Sequence, residues 1–252
     1  MAVWKPLRTR LSNHVVRRWI VNGRPSSADS ALVSFCFDDF YHSAAQEGAA
    51  LLGGLAMQAT YFAAGALMGR TLDGLEHFTR NDVAELSAAG HEIGCHTFNH
   101  VRIPDCPALQ IEEELARNRT FILETSAAGP PTSFAYPFGA ADIRTKHLVS
   151  RQFGICRGID KGVNSGLADF GQLRAVEITE AQTFADLCTY LDAAEATKGW
   201  LVFFTHDVSA RPSEHGCRPD QLKAIAQEIR NRAIRVMPLC DAAAEFAPLG
   251  DS

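Results

Sequence analysis

From residue 31 onward, two kinds of apolar pattern alternate along the chain. Short runs at 31–37 (ALVSFCF), 58–63 (QATYFA), 91–95 (HEIGC), 133–136 (SFAY), 153–157 (FGICR), 173–178 (LRAVEI), 200–205 (WLVFFT) and 234–237 (IRVM) read as strands. Several are nearly continuous in apolar residues, as parallel strands covered on both faces are. Between them, residues 42–55, 80–89, 110–126, 142–150, 183–197 and 219–232 read as helices, with Thr79 and Asp142 placed to cap two of them. Repeated strand–helix alternation predicts an α/β fold with a parallel sheet, open or closed into a barrel. Periodicity does not choose between the two, but both place chemistry at the C-terminal ends of the strands.

Ahead of this region, Trp4, Leu7, Leu11, Val15, Trp19 and Ile20 recur at spacings of three and four, which predicts an amphipathic helix over 4–20. Residues 1–28 hold six Lys/Arg and no acid, so the polar side of this helix is basic. A helix packed across one end of the domain is the favoured reading, over a membrane-surface anchor. The expected division is a basic helix and lead-in at 1–30 and a single catalytic domain at 31–252. A chain of 252 residues, 46% hydrophobic, supports one core of that size. The net charge of −5 argues against nucleic acid as a partner. Seven scattered cysteines without a CxxC pair fit reduced thiols, and no stretch has the ~20 apolar residues of a membrane span. The expected location is cytoplasmic. Neither a Gly-x-Ser-x-Gly elbow nor a Gly-x-Gly-x-x-Gly loop occurs, which removes serine-hydrolase and dinucleotide readings.

Three polar clusters fall where strands end. Asp38 and Asp39 follow the strand 31–37; adjacent carboxylates there are costly unless something binds them, although a cap or turn is the common alternative. Neighbours on an extended chain point apart, so one carboxylate can hold a metal while the other faces substrate. His96 and His100 follow the strand 91–95, at a spacing that shares a face on a helical turn. His206 ends the strand 200–205 and suits acid or base work. One carboxylate and two imidazoles leave coordination positions open, as catalytic metal sites do.

With these residues the sequence resembles the polysaccharide deacetylase family. The family's Thr-Phe-Asp-Asp-Gly motif is similar to Cys36-Phe37-Asp38-Asp39-Phe40, and its His-Ser/Thr-x-x-His motif to His96-Thr97-Phe98-Asn99-His100. Its Arg-x-Pro-Tyr-Gly motif is met in part by Ala135-Tyr136-Pro137-Phe138-Gly139, and its Leu-x-His by Phe204-Thr205-His206. The resemblance implies a distorted, incomplete (β/α) barrel of about seven parallel strands. It also implies Asp38 as catalytic base, His206 as general acid, and Asp39, His96 and His100 as ligands of a divalent metal, zinc by expectation. Tyr136 and Phe138 would serve the substrate and the oxyanion, with Phe138 and Phe204 lining an apolar pocket for the acyl methyl. The implied substrate is an N-acetylated carbohydrate, in an oligosaccharide, polysaccharide or glycolipid precursor.

Phe40 and Phe138 depart from the motifs, and the family's Asp-Trp/Tyr motif has no clear counterpart. Ala135 stands where an arginine would brace the base, and Arg157, ending the strand FGICR, is the expected replacement, ahead of Arg174. Two rival readings remain: an amide hydrolase or deformylase acting on a nucleotide- or lipid-linked sugar, and a silent metal-binding domain. The presence of both Asp38 and His206 weighs against the silent one.

Overall fold

The computed structural model describes Val16 and residues 19–248 apart from 73 and 128; most of the helix expected over 4–20 lies outside the described residues. Eight strands form one parallel sheet: β1 (Leu32–Asp38), β2 (Thr60–Ala63), β3 (Glu92–Cys95), β4 (Ser133–Ala135), β5 (Ile155–Arg157), β6 (Val176–Glu177), β7 (Trp200–Thr205) and β8 (Arg235–Val236). Seven of them lie in the order β6-β7-β1-β2-β3-β4-β5, and β8 pairs with the start of β1 beside β2. The ends of this row approach each other through a single parallel bridge, Arg157–Leu173. The result is a distorted, incomplete (β/α) barrel.

Helices fill the crossovers: a π-turn Ala44–Gly48 running into α1 (Ala49–Gly53), then α2 (Arg80–Ala88), α3 (Ala108–Thr125), α4 (Ile143–Ser150), α5 (Phe184–Thr197), α6 (Pro219–Asn231) and α7 (Leu239–Phe246). Thr79 and Asp142 cap α2 and α4 as the sequence predicts, each in a reciprocal capping box. Two differences stand out. The run 173–178 pairs as a strand only at Val176–Glu177, because the Asn164 side chain takes the Arg174 backbone N–H (2.9 Å) and carbonyl (3.0 Å) as a neighbouring strand would. The unforeseen α7 closes one end of the barrel, its Leu239, Ala242, Ala243 and Phe246 packing with the interior residues Leu32, Trp200 and Val202.

Strand parity positions the site. Along β1, Val33, Phe35 and Phe37 pack outward against the helices, while Leu32 and Cys36 face the interior. The period of two therefore turns Asp38 inward at the C-terminal rim. The same count on β7, from Trp200 through Val202 and Phe204, brings His206 inward. On β4 and β5 it turns Ala135 and Arg157 inward as direct register partners.

Candidate active site

Asp38 and Arg157 meet across this rim, both almost wholly buried, with Arg157 Nη2 donating to Asp38 Oδ1. Arg157 Nη1 donates to the Gly158 carbonyl (2.9 Å), and the guanidinium lies 4.7 Å from the Phe204 ring centroid and 5.3 Å from that of Phe62. Burial by itself would raise the Asp38 pKa. The Arg157 charge beside it, with His96 and His206, outweighs that and holds the carboxyl below its usual value. Because Arg157 is the register partner of Ala135, the cation comes from the neighbouring strand, and the small Ala135 side chain leaves the interior free for it.

The loop after β3 brings His96 and His100 together with ring centroids 4.9 Å apart. It is not the helical turn the spacing implies. Thr97 (φ 57°) and His100 (φ 52°) take left-handed backbone, which folds the loop back on itself. Its bonds fix that shape: Glu114 of α3 receives the Asn99 backbone N–H (2.7 Å) and side-chain amide (2.5 Å), and Thr97 Oγ1 accepts from Val101 N–H (3.1 Å). His96 Nδ1 sits 2.8 Å from the Ala135 carbonyl, so it carries the proton and Nε2 keeps its lone pair. Burial, with His100 alongside, lowers the His96 pKa to about 4, so the imidazole is neutral at neutral pH.

Asp39 also takes left-handed backbone (φ 33°), and its carbonyl accepts from His77 Nδ1 (2.9 Å). His77 was not singled out by sequence, because its histidine belongs to no motif. Of the seven positive-φ non-glycine residues among those described, Asp39, Thr97, His100 and Phe138 lie on the site's loops, so backbone strain gathers here. The buried Asp39 Oδ1 has no hydrogen-bond partner; His206 Nε2 stands 3.3 Å from it, and His100 Nε2 is 3.9 Å from Oδ2. One ligand atom from each of Asp39, His96 and His100 lies within 4.8 Å of the others. An orphaned buried carboxylate oxygen facing two neutral imidazoles fits a divalent cation.

These groups open into a cavity of about 890 Å³, in the range of small-molecule sites. Phe138 and Phe204 both line it: Phe204 is buried, whereas Phe138 is 63% exposed and leans on His100, ring centroids 4.5 Å apart. Gly139 and Ala140 N–H close the turn onto Tyr136 and Pro137, which leaves the Phe138 N–H unused by that turn. Tyr136 differs from expectation in one respect. Its hydroxyl donates to the Gly171 carbonyl (2.8 Å) and so is not offered to a substrate. Phe40 stacks on Phe78 (4.4 Å) inside the core, away from the cavity. The wall beside His206 comes from Glu177, Glu214 and His215, which sequence reasoning passed over because they lie on a short strand end and a loop without a motif.

A model of the polysaccharide deacetylase family matches residues 26–155. The chain belongs to the polysaccharide deacetylase family. It is therefore a hydrolase of carbon–nitrogen bonds other than peptide bonds, of the family that deacetylates carbohydrates. No curated protein matches the sequence. Solved structures share the deacetylase architecture. A family 4 acetyl xylan esterase from Clostridium thermocellum, in complex with a cobalt ion, has TM-score 0.61 at 19% identity, over 84% of this chain and 90% of that one. A family 4 carbohydrate esterase from Streptomyces lividans, in complex with acetate, has TM-score 0.57 at 16% identity, over 89% and 100%. IcaB from Ammonifex degensii has TM-score 0.56 at 21% identity, over 63% and 72%. At such identities the likeness speaks for the fold of this deacetylase and no further. Its site residues stand on the geometry above.

Proposed function

We propose that this deacetylase removes the N-acetyl group from an amino sugar within an oligosaccharide, polysaccharide or glycolipid precursor, with a divalent metal, zinc, held by Asp39, His96 and His100. The supporting observation is the placement of a buried, arginine-braced carboxylate and an imidazole beside one cluster of metal-binding donors. When bound, the cation would polarise the amide carbonyl and acidify the attacking water.

The chain's own groups divide the rest of the work. Asp38 takes the proton from the attacking water, and Arg157 keeps that carboxylate charged and aimed. His206 delivers a proton to the departing amine nitrogen, without which C–N cleavage expels a poor leaving group. The Phe138 N–H donates to the carbonyl oxygen as negative charge develops on it. Water and amide become acetate and free amine. Phe204 and Phe138 give the acetyl methyl an apolar wall. We also propose a cytoplasmic location, where thiols such as the seven free cysteines stay reduced. Among the described residues no helix is long and apolar enough to cross a membrane.

Acetate release from an N-acetylated oligosaccharide tests the reading, with a formamido sugar and an acetylated xylan run beside it. Turnover of the N-acetyl substrate that exceeds both supports it. Preference for the formamide or for the O-acetyl ester would overturn the substrate assignment.

A further inference from the structure

We propose that Glu177, His206 and His215 form a second divalent-cation site at the cavity mouth, and that filling it inhibits the enzyme by capturing His206. One ligand atom from each of the three lies within 4.8 Å of the others. The donor set, one carboxylate and two imidazoles, matches that of the inner cluster and suits the same borderline cations.

The site is built rather than accidental in shape, because the chain holds each donor from a different segment. Glu177 ends β6, His206 follows β7, and His215 sits on the loop that returns toward α6. That loop is clamped by the fully buried Asp207, whose carboxylate accepts from Ser213 Oγ (2.5 Å) and Ser213 N–H (3.2 Å). Gly216 passes so close that a Cβ there would lie 2.0 Å from Asp207 Oδ1, so no larger residue fits. The clamp presents the His215 carbonyl to His206 N–H (3.1 Å) and to Thr205 Oγ1 (3.1 Å). All of this anchoring uses the His215 backbone, and its imidazole meets carboxylates on both sides, with Nε2 3.2 Å from Glu214 Oε1.

That imidazole is placed against His206, ring centroids 5.1 Å apart, with Nδ1 2.8 Å from Glu177 Oε1. The Glu177–His215 bond holds a proton where a cation would sit between the same two atoms. His215 is 54% exposed, so water can complete the coordination from the solvent side. Glu214 adds negative charge at the same mouth and raises the local cation concentration.

The inhibitory consequence rests on the assignment of His206 as the acid. An imidazole lone pair given to a cation is not free to carry a proton to the amine. The first equivalent of metal is then expected to activate and the second to inhibit, from sites that share one cavity.

Zinc titration of the metal-free protein by calorimetry, with bound metal counted by elemental analysis, tests this. The intact chain should bind two equivalents. His215→Ala should bind one, and so should Glu177→Gln unless zinc is raised about 10–100-fold, the usual cost of a perturbed ligand shell. The His96→Ala, His100→Ala double variant should keep the outer equivalent. Turnover of the intact enzyme should rise with the first equivalent and fall at least tenfold with the second, whereas His215→Ala should rise to a plateau. A single equivalent in the intact chain, or two in His215→Ala, would overturn the site. Two equivalents without a fall in turnover would overturn the inhibition. Failure of the proposed function looks different: two equivalents of zinc bind and no acetyl sugar is hydrolysed.

Discussion

Replacing Arg157 with Met isolates what the buried guanidinium does for Asp38. Met keeps an apolar stem against Phe62 and Phe204 but removes the charge and both hydrogen bonds. In the intact protein the Asp38 carboxyl titrates below its unfolded value of 3.8. A depressed carboxyl stabilises the fold above that value, and the contribution fades as pH falls through the lower folded value. Without Arg157, burial becomes the dominant influence and the carboxyl rises above its unfolded value. Asp38 then opposes folding at neutral pH, and the penalty shrinks as acid protonates it. An uncompensated buried charge costs about 3–5 kcal/mol. At roughly 2–4 °C per kcal/mol for a domain of this size, the metal-free variant should melt some 6–20 °C lower at neutral pH. The deficit should narrow toward pH 4.5. Turnover should fall about 10–100-fold, the cost of a misplaced catalytic group, with the first metal still bound. Calorimetric melting of both proteins at pH 4.5 and 7.5, with acetate release at neutral pH, measures each quantity. An equal deficit at the two pH values would assign the loss to packing alone, and a fully active variant would refute the bracing role.

Four further outcomes follow from the site. The His96→Ala, His100→Ala double variant should lose the inner metal and all turnover together, and full inner-site occupancy by elemental analysis would refute the ligand assignment. His206→Ala should lose about 10²–10⁴-fold on the acetamido sugar yet far less on 4-nitrophenyl acetate, whose leaving group needs no proton; equal losses on the two substrates would remove His206 from the acid role. Asp38→Asn should lose both activities. Tyr136→Phe should cost roughly 1 kcal/mol of stability for the lost bond to Gly171 and leave KM for the sugar unchanged, and a raised KM would restore the hydroxyl to the substrate.

The sequence by itself determined the alternation of strands and helices, and with it the rim where chemistry gathers. Both are local properties: apolar continuity marks a buried parallel strand, and a polar pair directly after one has nowhere to go but the C-terminal edge. Asp38, Asp39, His96, His100 and His206 were legible for that reason. Arg157 was legible only as one of two arginines, because its rank over Arg174 depends on register, and register is set by the pairing of β5 with β4. The loop geometry of His96 and His100 was misread, since left-handed backbone at Thr97 and His100 leaves no mark on a spacing of four. The packing of α7 into the barrel was hidden because Ala-rich helical faces look alike until a partner surface is known. Glu177, His215 and Asp207 belong to no motif. They meet because β6 ends beside β7 and one buried carboxylate folds the following loop back over the site, a contact between segments distant in sequence that only the tertiary structure could decide.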